Sequence, residues 1–329
     1  MRVSPGLLFA AVGLLLGAAA PPGAAFDLQG HRGARGLAPE NTLPGFETAL
    51  RIGVTTLELD LGMSRDGELV VSHDPRLDPD LTRDPAGRWL EPPGPRLLDL
   101  DLEQIQAFDV GRSRPGSDHA EDFPEQRPAD GARVPTLAEV VALTRRLGAD
   151  AVRFNVETKL SPLEPDLAPP PEVFARELVE EIRALGIAGR TTVQSFDWRT
   201  LRVVNERAPE VRTVCLTAER RWLDTLERWR AGASPWLAGL DADDFESVPD
   251  LVGAAGCEVW SPYHGDLAAA DLARAHALGL EVVVWTVNDR ESMAHLIDLG
   301  VDGIITDYPD RLREVAGGRG RTLPVPVVP

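Results

Sequence analysis

Thr55-Thr56-Leu57-Glu58-Leu59-Asp60-Leu61 alternates polar and apolar residues with the period of a β-strand, sending Glu58 and Asp60 to one face and the leucines to the other. Two carboxylates on one side of a strand make half of a hard-cation site. A lone Glu-x-Asp pair is also the ordinary pattern of a half-exposed strand, so its surroundings decide between the two readings. Asp66-Gly67 follows as a hairpin turn and returns the chain through Leu69-Val70-Val71-Ser72, which brings His73-Asp74 out near the strand that carries the acids. Upstream stand His31-Arg32-Gly33 and Pro39-Glu40-Asn41-Thr42. Two histidines, an arginine and several carboxylates in the first quarter of the chain are the chemistry of metal-assisted phosphoryl transfer.

Around that strand, β-rich runs recur at wide intervals with helix-period segments between most of them. They are Asp27–His31, Thr55–Leu61, Ala151–Thr158, Thr191–Phe196, Val211–Leu216, Cys257–Ser261, Leu280–Val287 and Val301–Thr306. Strands alternating with helices imply parallel βαβ units, and eight of them predict an α/β fold of the closed (β/α)8 barrel type over a doubly wound sheet. No Gly-x-Gly-x-x-Gly follows the first strand, which weakens a dinucleotide fold further. The polar residues singled out here fall at strand C-terminal ends, where such barrels place their active sites. Pro75 to Val134 breaks the rhythm with prolines, glycines and charges, and only Leu97 to Phe108 has helical spacing. This stretch reads as an insertion after the second strand, either a lid or specificity element or a decorative surface loop.

At 329 residues the chain suits one barrel with an insertion, and 43% hydrophobic content supplies a sizeable core. A formal charge of −18 argues against a nucleic-acid partner, because such proteins neutralise phosphates with basic residues. An anionic small-molecule substrate must then meet a local positive centre, which a metal with one or two basic side chains provides. Met1 to Ala25 has the make-up of a secretory signal: Arg2, an apolar run from Leu7 to Ala20, and small residues at Gly23-Ala24-Ala25. The run is short of the ~20 residues of a membrane span. These features predict export to the periplasm or medium, with no stable membrane span after cleavage. The mature barrel is expected over residues 26–314 and a flexible tail over 315–329. With Cys215 and Cys257 alone, no disulfide framework exists; one bridge at most is open, and Cys215 in its apolar run reads as a buried core thiol.

Asn155-Val156-Glu157-Thr158-Lys159 ends the third strand, with Asn155, Glu157 and Lys159 on one face. Lys159 is the only lysine among 34 basic residues, and a site needing a compact ammonium would retain it. Three carboxylates, with no cysteine or histidine cluster at ligand spacing, favour Mg2+ or Ca2+ over zinc. Two histidines can then share the proton work, and Arg32 offers a planar fork to a phosphate. His119, His276 and His295 lack a strand-end carboxylate beside them and are expected as surface or core histidines, while His264 stays open. Trp285 and Phe196, near the ends of the seventh and fourth strands, are candidates for a pocket wall or for core packing.

The ordered segments His31-Arg32-Gly33, Pro39-Glu40-Asn41-Thr42, Glu58-Leu59-Asp60, Ser72-His73-Asp74, Glu157-Thr158-Lys159, Gln194-Ser195-Phe196, Val284-Trp285-Thr286-Val287-Asn288 and Gly303-Ile304-Ile305-Thr306-Asp307-Tyr308-Pro309 resemble those of the glycerophosphodiester phosphodiesterase family. The resemblance runs from about Asp27 to Arg313. It implies a TIM barrel with an insertion after the second strand, and hydrolysis of glycerophosphodiesters to an alcohol and glycerol 3-phosphate. It also implies His31 and His73 as the general acid/base pair and Glu58, Asp60 and Glu157 as ligands of one divalent metal. Arg32 and Lys159 would contact the phosphate, Glu40 would shape the site and Trp285 would line the pocket. Gly62-Met63 is the main departure from the family pattern. Two competing expectations are lysophospholipase D activity, which needs an apolar groove that the charged insertion does not offer, and a non-catalytic glycerophosphodiester-binding protein.

Overall fold

The computed structural model describes residues 26–328; the expected signal segment, 1–25, lies outside them. Eight strands form the centre: β1 (Asp27–Gly30), β2 (Thr56–Met63), β3 (Arg153–Thr158), β4 (Thr191–Ser195), β5 (Arg212–Thr217), β6 (Val259–Pro262), β7 (Glu281–Val284) and β8 (Gly303–Thr306). β1 pairs in parallel with both β2 and β8, and every other strand pairs in parallel with its successor, so the sheet closes into the expected barrel. Around it lie α1 (Leu43–Ile52), α2 (Leu137–Arg146), α3 (Pro171–Ala184), α4 (Trp198–Arg207), α5 (Val248–Ala254), α6 (Ala269–Ala277), α7 (Arg290–Leu299) and α8 (Pro309–Gly318).

Capping chemistry sets several of these boundaries. The Thr42 hydroxyl accepts from the Gly45 N–H at the start of α1, and Gly53 closes that helix at φ 90°, a conformation that costs a residue with a Cβ. Thr136 and Glu139 form a reciprocal capping box on α2. None of the helices among the described residues is long and apolar enough to cross a membrane.

The strands are buried on both faces. Outward-facing Leu57, Leu59 and Leu61 pack with Phe46, Phe154, Phe174 and Trp198 in the layer between barrel and helices, all at most 1% exposed. The barrel interior is divided. Across β1, β3 and β4 it is polar, with the Asn155 amide donating to Gln29 Oε1 at 2.9 Å and Gln194 Oε1 at 2.8 Å. Across β5 to β8 it is apolar, built from Val214, Val259, Val283 and Ile305.

After β2 the chain turns into the antiparallel strand Leu69–Val71 and then into the insertion. The insertion has its own small core of Leu77, Leu97, Ile105 and Val134 against Val70 of the hairpin. The Leu97–Phe108 segment forms a 3-10 turn and one short helix, and a second short helix, Asp118–Asp122, was not expected. Gly62 finds its reason here: a Cβ at that position would sit 2.5 Å from Leu97 Cδ1, so its absence lets the insertion pack directly onto β2.

Two expectations change. Cys215 is buried, but it is not a free thiol: it forms a disulfide with Cys257, Cα atoms 5.9 Å apart. The partners are 42 residues apart in sequence, and only the adjacency of β5 and β6 brings them together. The expected boundary at 314 falls inside α8, which runs to Gly318; further on, the Val327 N–H donates to Leu50 O at 3.1 Å and Leu323 packs on the core.

Candidate active site

The C-terminal ends of β1 to β4 and β8 gather the charged residues at the floor of a cavity of about 480 Å³. Strand register does the first part: Asp60 pairs with Glu157, and Glu157 with Gln194, so the inward acids of β2 and β3 lie side by side. Glu58, Asp60 and Glu157 each place an oxygen within 4.8 Å of the others'. Burial pushes Glu58 well above the ordinary carboxylate range, and the neighbouring Asp60 and Glu157 add to it. Glu157 is pushed up to about 7 by burial, against the pull of Lys159. Asp60 goes the other way, because Arg32, His73 and Lys159 together outweigh its burial. Its Oδ1 is buried without a hydrogen-bond donor among the described residues. Three crowded carboxylates, two of them resisting ionisation and one with an orphaned oxygen, fit a hard divalent cation, and the site is a candidate metal centre.

The β1–α1 loop supplies the cationic side. Arg32 has φ 50° and Asn41 φ 54°, both in the left-handed region. Arg32 is held there from both ends: its N–H donates to Glu58 Oε2 at 2.7 Å and its Nη1 to Glu40 Oε1 at 2.7 Å, while Nε lies 3.2 Å from Asp60 Oδ2. Asn41 Nδ2 donates to that same Asp60 oxygen at 2.9 Å. Gly33, at φ 89°, lies so close to α1 that a Cβ would approach Gly45 C to 2.7 Å. Lys159 lies beyond the end of β3, and its Nζ reaches back to Glu157 Oε1 at 2.8 Å and to Asp60 Oδ1 at 3.7 Å.

His31 and His73 flank this centre. The His31 ring presents Nδ1 to Asp307 Oδ1 at 2.6 Å and Nε2 toward Glu58 Oε2 at 4.0 Å. Burial lowers its pKa to about 4, although Asp307 opposes the shift, so the ring is neutral near pH 7. Nδ1 then carries the proton given to Asp307, and Nε2 is the free lone pair. His73, at the hairpin exit, holds Asp74 Oδ1 at 3.0 Å through Nδ1; burial lowers its pKa too, helped by Arg32 and Lys159.

Sequence reading assigned no role to Asp307, Arg35, Asn288 or Gln194. Asp307 is gripped by Arg35 at 2.8 and 3.1 Å and by Asn288 at 2.6 Å, which orients it on His31, and Gln194 Nε2 donates to Glu58 Oε1 at 2.8 Å. His119, expected as a bystander, stands 2.9 Å from Glu40 Oε2. The contact joins residues 79 positions apart across an irregular segment, and no local pattern announces it. His264 packs on Tyr263, outside the charged centre.

Above the charges the cavity wall turns aromatic. The Phe196 ring stands 6.0 Å from Lys159 Nζ, and Phe196, Trp285 and Trp222 follow in edge-to-face contacts of 5.2 and 6.0 Å. Trp285 donates its indole N–H to Ser261 O at 3.0 Å, which fixes it as wall. Trp222 comes from the β5–β6 connection, which also brings Leu223 and Trp236 to the cavity; the loop after β3 adds Leu160, Leu167 and Ala168.

The Glycerophosphoryl diester phosphodiesterase family model matches residues 31–311. A glycerophosphodiester phosphodiesterase of Bacillus subtilis is 30% identical over 88% of this chain and 85% of its own, and one from Caldanaerobacter subterraneus is 29% identical over 86% and 94%. Among solved structures, a putative glycerophosphoryl diester phosphodiesterase of Silicibacter pomeroyi superposes with a TM-score of 0.80 at 34% identity, covering 91% of this chain and 95% of that one. An Oleispira antarctica phosphodiesterase holding sn-glycerol-3-phosphate shares the fold at TM-score 0.63 and 19% identity, over 89% and 97%. With the match running through every segment that builds the site, the chain belongs to the glycerophosphoryl diester phosphodiesterase family and is a phosphoric diester hydrolase.

Proposed function

We propose that this enzyme releases an alcohol and glycerol 3-phosphate from glycerophosphodiesters by a two-histidine mechanism, with Glu58, Asp60 and Glu157 holding one Mg2+ or Ca2+. The observation that carries the reading is the unequal mounting of the two imidazoles. His31 is fixed by Asp307 with Nε2 unprotonated and facing the carboxylate cluster, the posture of a general base. His73 is more accessible, 30% exposed against 13% for His31; Asp74 holds its Nδ1, and the ring lines the cavity. A divalent cation at the three carboxylates supplies positive charge against the phosphate oxygens and lowers the pKa of a hydroxyl or water beside it.

His31 Nε2 takes the proton of the attacking hydroxyl, and His73, protonated once the anionic phosphate is bound, delivers its Nε2 proton to the departing alcohol oxygen as the P–O bond breaks. If the attacking group is the neighbouring glycerol hydroxyl, the product of this step is a cyclic phosphate, and the histidines exchange roles while water opens it. Arg32 and Lys159 bind the phosphate oxygens, with Glu40 keeping the Arg32 fork at the centre.

The deciding experiment measures glycerol 3-phosphate release from glycerophosphocholine after chelation and again with Mg2+ or Ca2+ restored. Activity returning with the metal is expected, together with loss of about 10²-fold or more in His31→Ala and in His73→Ala at unchanged circular dichroism. Near-wild-type turnover in both variants would overturn the roles.

A second reading, lysophospholipase D, gains support from the cavity wall. The apolar groove that an acyl chain needs is absent from the insertion, but the loops after β3 and β5 build one from Leu160, Leu167, Trp222, Leu223 and Trp236. Relative rates on glycerophosphocholine and a lysophosphatidylcholine separate the two substrates. Export is supported by the make-up of residues 1–25 and by the Cys215–Cys257 disulfide, which persists in oxidising compartments. The mature protein is expected to begin at Phe26, which intact mass spectrometry of material from periplasm or medium checks.

A further inference from the structure

We propose that the insertion completes the active site through His119, a positioning residue that fixes Glu40 and, through it, the guanidinium of Arg32. The inference rests on the reading of Arg32 as a phosphate ligand. Glu40 has two oxygens and both are used: Oε1 accepts from Arg32 Nη1 at 2.7 Å, and Oε2 faces His119 Nε2 at 2.9 Å, with Arg35 Nη1 farther off at 3.9 Å. Without His119, the Glu40 carboxylate would be free to rotate toward Arg35 and carry the Arg32 fork with it.

His119 is held at both ring nitrogens. Gln126 Nε2 donates to the Arg35 carbonyl at 2.8 Å, which turns its Oε1 toward Ser113 Oγ at 3.0 Å. Ser113 Oγ in turn stands 2.8 Å from His119 Nδ1. A carboxylate only accepts, so Nε2 donates to Glu40. With both ring nitrogens engaged, His119 is wedged between Ser113 and Glu40. Phe123 closes the assembly, its ring 4.8 Å from that of His119 and 4.6 Å from the Arg35 guanidinium. The segment from Ser113 to Gln126 therefore braces Glu40–Arg32 on one side and Arg35, which grips Asp307, on the other.

The test compares His119→Ala, His119→Gln and Arg32→Ala in the metal-restored enzyme, reading KM and kcat for glycerophosphocholine, inhibition by glycerol 3-phosphate, and Tm. His119→Ala is expected to raise KM and the inhibition constant about tenfold, the loss of one charge-assisted bond expressed mainly in binding. His119→Gln, whose amide still donates to Glu40, is expected to recover most of that loss. A bystander role would move Tm in both variants and leave KM alone. If His119→Ala does not fold, Ser113→Ala reports the same link, with a KM rise of about two- to threefold. Wild-type KM in the His119 or Ser113 variant beside an impaired Arg32→Ala overturns the relay alone; wild-type KM in Arg32→Ala as well overturns the phosphate assignment together with it.

Discussion

Arg32 and Asn41 occupy left-handed backbone, which costs a residue with a Cβ of order 1–2 kcal/mol. The strain persists because each is bound on both sides, and its yield is placement: Arg32 N–H and Asn41 Nδ2 aim at Glu58 and Asp60 from the loop after β1. Asn41→Ala leaves Asp60 Oδ2 without that donor. We expect a loss of about 1–3 kcal/mol in urea unfolding and a weaker Mg2+ affinity by calorimetric titration. At this scale the short-range motifs were readable in the sequence. His31, Glu58, Asp60 and His73 declare themselves by alternation and by a hairpin turn. Asp307 and His119 do not, because their contacts span 276 and 79 residues and only the closed barrel and the folded insertion create them.

Among the elements, β2 shows why alternation in a barrel is ambiguous. Its polar face is as buried as its leucines, since that face meets the polar half of the interior and not solvent. All eight strands could be located from their apolar runs. The β5–β6 connection could not be read in the same way, because its small hairpin, Glu219–Arg220 with Leu223–Asp224, and its cavity-lining tryptophans have no periodicity to mark them. On α3, burial pushes Glu181 up to about 7, with Glu68 adding to the shift. A raised carboxylate gives its full contribution below the ordinary value near 4.5 and loses it as pH rises through about 7. Glu181→Gln should therefore be neutral at pH 5 and stabilising at pH 8, by less than ~1 kcal/mol after solvent screening. Melting curves at the two pH values check the sign.

For the whole molecule, the Cys215–Cys257 bond ties β5 to the start of β6 across the longest connection in the second half of the barrel. Closing a loop of 42 residues removes enough unfolded-state freedom to stabilise by ~4 kcal/mol. The double variant Cys215→Ala, Cys257→Ala, or wild type with a reductant during unfolding, should lose stability on that scale while retaining metal-dependent activity. Mg2+ or Ca2+ should in turn raise Tm, by the equivalent of ~2.7 kcal/mol at a hundredfold excess over Kd, because folded protein alone presents the three carboxylates together. Loss of that shift in Asp60→Asn would locate the binding.

The cavity is assembled from two sets of parts. The proton-transfer and phosphate-binding groups proposed above stand on β1, β2, β3 and β8 with the insertion, while much of the apolar wall hangs on the loops after β3 and β5. No residue of 160–168 or 222–236 belongs to the proposed metal, phosphate or proton-transfer groups. The scaffold is therefore open to change in one direction: exchanging 160–168 or 222–236 is expected to alter which alcohol leaving groups are accepted, and an engineer seeking altered substrate range would randomise there first.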